Sequence, residues 1–404
     1  MNHTVNIRCE CERQGNGRPA NPGSRKLGGL NIRAMTKWIG SLVAVAIVPL
    51  VAEAQIGWTE VITAGPSPRN DHAMAYDEAR DVTVMFGGFH VPGFPPTFGD
   101  TWEWDGVNWT QVASTGPAPR SSHAMAYDAR RGVTVLFGGF DANSNDLGDT
   151  WEWDGASWRQ VAFSGPTARF GHAMAYDRVR RVTVLFGGDA ENREDTWEWD
   201  GTSWNEVVAP GPLGRRVHAM AYDASRRVTV LFGGINDDAG FVALDDTWEF
   251  DGTGWTEVVT PGPAARHSHA MAYHHGLKRI VLFGGFFSLD DTWEFDGTGW
   301  TEVVTPGPAA RSSHSMAYDA EREVIVLFGG TSPDFGDTWE FGDLDPGIRG
   351  SVFGLTPDRV VCRNLTTGQT ISVPTGDQSW NCEDLGLIVN PNDTIITGVR
   401  GEAN

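Results

Sequence analysis

Lysine is almost missing from this chain: 404 residues hold three, at Lys26, Lys37 and Lys278. Cysteine is nearly as scarce, with four in all and none between Cys11 and Cys362. The formal charge is −21, and beyond residue 54 there remain 24 basic and 49 acidic residues. A surface this acidic repels phosphate backbones, which argues against nucleic acid as a partner. Divalent cations and basic partners stay open. After the apolar run Trp38–Val51 no second stretch is long and apolar enough to anchor in a bilayer.

Residues 1–34 are polar and show no structural period, whereas Met35, Lys37 and the run from Trp38 lead to a small-x-small site at Ala52-Glu53-Ala54. This reads as a signal peptide over 35–54 preceded by an upstream extension over 1–34. The expected product is secreted or periplasmic, monomeric, and free of the membrane once the leader is cleaved. In such a compartment the pair Cys362 and Cys382 reads as a disulfide.

What the chain has in abundance is repetition. Between Trp58 and Phe341 one pattern recurs six times: Arg-x-x-His, a strand ending in Phe-Gly-Gly, Asp-Thr-Trp-Glu, and a lone Trp after a turn. The histidines are His72, His123, His172, His218, His269 and His314, and the second glycine always follows 16 residues later. Each Asp-Thr-Trp aspartate lies 23 residues before the next histidine, and only the stretch between Gly-Gly and that aspartate varies: 11, 9, 6, 11, 5 and 6 residues. Tandem units of this size override a domain count based on length.

Each unit predicts four short strands, of the types His123–Tyr127, Val133–Phe137, Asp149–Trp153 and Trp158–Val161, with Asp154-Gly155 turning between the last two. Sheets that are apolar on both faces need cover on both sides, which radial packing supplies. The paired glycines, the aromatic strand and the Trp at fixed distance resemble the kelch repeat over residues 57–342. That resemblance implies an all-β fold, a six-bladed kelch-type β-propeller over 55–342. The sixth unit lacks a fourth-strand Trp, so Gly57–Val61 should close its blade as the outer strand. Residues 343–404 read as a small, disulfide-stapled β-sandwich-like unit, with strands near 350–353, 359–363, 370–373, 385–389 and 394–399.

The arginines Arg69, Arg120, Arg169, Arg215, Arg266 and Arg311 tempt a binding reading, because the first strand is innermost in kelch propellers and could bring them to a channel mouth. The structural alternative pairs them with Glu103, Glu152, Glu198, Glu249, Glu294 and Glu340 or with nearby carbonyls, since an unpaired buried charge is costly. The variable loops are the better candidates for binding: Phe89, Phe94 and Phe98; Phe140, Asp141, Asn143 and Asn145; Asp237, Asp238 and Phe241; Phe286 and Phe287. Asp141-x-Asn143-x-Asn145 has the spacing of a calcium loop, but Asp146 stands where glycine is wanted. No other cofactor or metal is suggested.

Galactose-oxidase-like propellers use a cysteine-modified tyrosine, and no cysteine lies in this repeat region. Exported six-bladed kelch mutarotases acting on sialic acid match in blade number and compartment. His267, His274 and His275 depart from the repeat, and the histidine pair reads as surface loop. The resulting expectation is a non-enzymatic exported protein that binds a protein or glycan through the variable-loop face, with a carbohydrate-active enzyme such as a sialic-acid mutarotase as the alternative.

Overall fold

The structure, a computed structural model, describes residues 56–344 except 91–96, 163, 190, 192, 239, 288 and 332–333, together with the backbones of three strands beyond residue 358. Two compact units emerge, Gln55–Leu344 and the remainder of the chain.

The first unit contains six four-stranded antiparallel sheets and no helix among its described residues. In blade 2 the strands are Ala124–Asp128, Val133–Phe137, Thr150–Trp153 and Trp158–Ala162, hydrogen-bonded in that order. The first strand of each blade packs beside that of the next, and Ser315–Asp319 of blade 6 returns to Ala73–Asp77 of blade 1. This is the six-bladed propeller that the repeats predict.

Ile56–Val61 closes the ring as expected, pairing antiparallel with Thr338–Asp343 so that Trp58 stands opposite Phe341. The sixth blade is thus assembled from both ends of the repeat region.

Alternation along each strand explains the radial packing. Ala124, Ala126, Val135 and Phe137 form one face of blade 2 and meet Met174, Tyr176, Leu185 and Trp199 of blade 3. Successive residues point to opposite faces, so the alanines of one first strand meet the methionine and tyrosine of the next. The fourth-strand tryptophans lock this contact with a polar tip. Trp204 Nε1 donates to Thr150 Oγ1 at 2.9 Å, and Trp58 Nε1 reaches Thr292 Oγ1 at the same distance.

The Asp-Gly turns are four-residue loops: Asp154 Oδ1 accepts from the Ala156 and Ser157 amides while Gly155 takes φ 91°. The paired glycines also stitch blades together. Gly139 N donates to the Arg169 carbonyl of the next blade at 2.9 Å. A Cβ on Gly139 would stand 2.6 Å from the Ser121 carbonyl, so at φ 90° no other residue fits.

In the second unit Arg359–Asn364 pairs with both Thr370–Pro374 and Ile395–Arg400 in one antiparallel sheet. The strands expected near 350–353 and 385–389, and the Cys362–Cys382 pairing, lie outside what is described.

Candidate functional site

The propeller axis has two mouths. The starts of the first strands, the ends of the second and the variable loops belong to one; the turns after the first strands belong to the other.

At the loop-side mouth the repeated arginines do not serve the Trp-Glu-Trp glutamates, contrary to the pairing weighed from sequence. Arg120 is fully buried and forms a bidentate pair with Asp149, its Nη1 2.7 Å from Oδ1 and Nη2 2.9 Å from Oδ2. Nη1 also donates to the Gly138 carbonyl at 3.0 Å, and Nε to the Ala118 carbonyl at 3.1 Å. Arg69, Arg169, Arg215, Arg266 and Arg311 repeat this with Asp100, Asp195, Asp246, Asp291 and Asp337.

Trp151 Nε1 completes the shell around Asp149 at 2.6 Å. Desolvation works to raise the Asp149 pKa, but hydrogen bonds and charge from Arg120 outweigh it and hold the carboxyl below its ordinary value. The expectation that neighbouring carbonyls take the arginines holds for the Gly-Gly carbonyls. These guanidiniums have little left to offer a ligand.

The glutamates have their own cations. Arg80, Arg131, Arg180, Arg226 and Arg322 each bridge the aspartate ending the first strand to the glutamate of the third, as Arg131 does with Asp128 and Glu152. Blade 5 lacks this clasp, having His274 and Leu277 at the two positions. There desolvation raises the Glu294 pKa, opposed by the charge of Arg279.

The six repeated histidines are buried between blades, their rings edge-on to phenylalanines such as Phe86 against His123. Desolvation and the adjacent arginine lower their pKa values, to about 3 for His72 and for His172.

The residues that reach the axis are the unassigned ones between Arg and His: Asp71, Ser122, Gly171, Val217, Ser268 and Ser313, all at φ between 48° and 64°. Their backbones close a circle: Ser122 N donates to the Asp71 carbonyl, Gly171 N to Ser122, Val217 N to Gly171, Ser268 N to Val217, Ser313 N to Ser268, and Asp71 N to Ser313, at 2.6–2.9 Å. With the histidines they enclose about 110 Å³. Desolvation raises the Asp71 carboxyl to about 6, with Ser313 opposing and Asp334 assisting.

Outside this circle stand the variable loops. Phe89 and Phe98 are half-buried, and Arg69 lies over the Phe98 ring at 4.0 Å; Phe94 falls outside the described residues. Phe140 is half-buried against Phe170. The carboxylate of Asp141 is filled by its own loop, accepting from the Asn143 and Asn145 amides and from Asn145 Nδ2 at 2.8–3.0 Å. That accounts for the calcium-like spacing, and no group of three or more His, Cys, Asp or Glu among the described residues is placed to hold a metal.

Asp237 is tied to Arg216, while Asp238 is exposed. The loop of blade 4 is a hairpin, Ile235–Asn236 against Val242–Ala243, and Phe241 and Val242 are 69% and 46% exposed near its tip. In blade 5 Phe286 and Phe287 are 49% and 64% exposed, Phe286 stacked on His267 at 4.8 Å.

The opposite mouth carries a feature that sequence reading passed over. Tyr76, Tyr127, Tyr176, Tyr222 and Tyr318 line it, and two residues after each repeated tyrosine the chain reads Glu78, Ala129, Arg178, Ala224, His275, Ala320. A polar residue alternates with alanine around the axis. Arg178 Nη2 reaches Glu78 at 2.7 and 2.8 Å across two blade boundaries. His275 stacks on Tyr318 at 5.2 Å. Desolvation, then Arg178, lower the His275 pKa, with Glu78 opposing. Of the three, the sequence marks His275 by its departure from the repeat, and superposing the six repeats column by column marks Glu78 and Arg178 in the same way.

Residues 97–285 and 153–330, together more than half the chain, match the family model of the KLHDC2/KLHL20/DRC7 Kelch-repeats domain. No curated protein matches the chain. The solved structure of YjhT is similar over 70% of this chain and 96% of that one, with a TM-score of 0.55 and 15% identity, a likeness of fold. Six Gly-Gly blades closed by an N-terminal strand and the matching family model place the chain in the Kelch-repeats domain family.

Proposed function

We propose that this protein is an exported binding module that engages a protein or glycan partner through the variable-loop face of its propeller. The observation that carries this reading is the apolar group Phe241, Val242, Phe286 and Phe287, exposed on loops of two adjacent blades whose frames are rigid. Aromatic anchors of this kind dominate binding at interfaces. The loop-side mouth favours binding over turnover as well. Its hydrogen-bonded circle leaves about 110 Å³, below the ~300 Å³ at which small-molecule pockets begin.

The test is a glycan array and a panel of extracellular proteins probed with residues 55–404, repeated with Phe241→Glu/Phe287→Glu. The expected result is a ligand lost in the double variant at unchanged thermal stability; binding indifferent to both substitutions would overturn it.

A second reading, a carbohydrate-active enzyme such as a sialic-acid mutarotase, draws on Asp71, whose pKa of about 6 suits a general acid or base near neutrality. Accelerated anomer exchange of a sialic acid, abolished by Asp71→Asn, would establish it in place of the binder.

A further inference from the structure

The mouth opposite the variable loops has a depression of about 360 Å³ bounded by Glu78, Ala129, Arg130, Tyr176, Arg178 and Arg181. It shares Glu78, Ala129, Tyr176 and Arg178 with the tyrosine-lined cavity of about 150 Å³ on the axis, so the two adjoin. The larger volume falls in the range of small-molecule sites.

Its charge is opposite to that of the chain. Three guanidiniums and a single carboxylate line it, in a protein whose formal charge is −21. Glu78 is engaged by Arg178, while Arg130 and Arg181 are exposed and have no ion-pair partner among the described residues. None of the three belongs to the frame, which uses Arg131 and Arg180 in these turns to hold Asp128 with Glu152 and Asp177 with Glu198. Arg130 and Arg181 therefore line the depression without a carboxylate of their own, and nothing in blade packing requires them there.

We propose that this depression binds a compact organic anion whose negative group is taken by Arg130 and Arg181 and whose ring lies toward Tyr176 and the tyrosine-lined axis. Arg178 is the third donor once the ligand displaces Glu78, so the Arg178–Glu78 pair is a latch that an anion opens. Guanidinium forks suit carboxylate and phosphate alike. The site stands independently of the loop-face reading.

Isothermal titration with glucuronate, glucose 6-phosphate, glucose and inorganic phosphate separates the contributions. The expected result is binding of glucuronate, glucose 6-phosphate or both, weakened by salt, with none for glucose. Arg130→Gln/Arg181→Gln should weaken it about tenfold or more, as should Arg178→Met, since a charge-assisted hydrogen bond is worth ~1.5–3 kcal/mol. Glu78→Gln, which removes the competing carboxylate, should strengthen it. No heat with either sugar anion, or unchanged affinity in Arg130→Gln/Arg181→Gln, overturns the site. Equal affinity for inorganic phosphate overturns the role given to the tyrosines, and an unchanged or weaker Glu78→Gln overturns the latch. Phe241→Glu/Phe287→Glu should leave all of these values unaltered.

Discussion

Each buried histidine between blades is neutral in the folded state and an ordinary base when the chain is unfolded. Desolvation and the neighbouring arginine put the folded pKa far below the unfolded 6.5, at about 3 for His72 and His172. The unfolded chain therefore takes up protons that the folded one refuses. Stability is lost as pH falls from 6.5 toward the folded values, at up to about 1.4 kcal/mol per unit for each histidine. The aspartates paired with Arg69 and its counterparts act in the same direction lower down, because their folded pKa values are depressed and their contribution disappears as they protonate. Urea denaturation between pH 7.5 and 4.5 should show a steep, early loss, roughly several kcal/mol per pH unit below about pH 6 with six histidines contributing. A flat profile to pH 5 would mean that these rings already carry protons in the fold.

At the scale of the strand, Ile56–Val61 supplies blade 6 with its outer edge and the propeller with its closure. Trp58 is buried, packs against Phe283 and Phe341 at 5.1 Å, and donates to Thr292 of blade 5. Trp58→Ala should therefore cost about 3–5 kcal/mol in chemical denaturation, much more than an exposed-site change in the same strand such as Thr59→Ala. Equal costs would show that the ring does not depend on this closure.

This strand was legible in the sequence because a missing tryptophan in the sixth unit matched a surplus one before the first. The partner of Arg120 was legible in principle but passed over. Ala124, Phe137 and Thr150 share one row across the sheet, so the residue before Thr150 is the carboxylate near the start of the first strand, while Glu152 lies opposite Val135 in mid-sheet. Attention to the aromatic residues around Glu152 hid that geometry. Glu78 and Arg178 depart from alanine in their repeat column, a signal the sequence carries, but that they face one another follows only from the closed ring.

For the whole molecule, sheet closure and blade packing are both completed within residues 56–343, and Gln55–Leu344 forms a compact unit by itself. A chain of residues 55–344 should fold alone, with a thermal midpoint within a few degrees of that of residues 55–404. A much lower midpoint would make the C-terminal unit part of the propeller's stability. Closure also has an electrical consequence at the loop-side axis. The six peptide N–H bonds from Asp71 to Ser313 point one after another around a circle, so their in-plane dipoles cancel instead of adding as they do along a helix. No backbone end-charge gathers there. Of the six residues on that circle Asp71 alone can ionise, and with its pKa of about 6 a single proton adds or removes one negative charge on the circle in the range where cells and their surroundings differ.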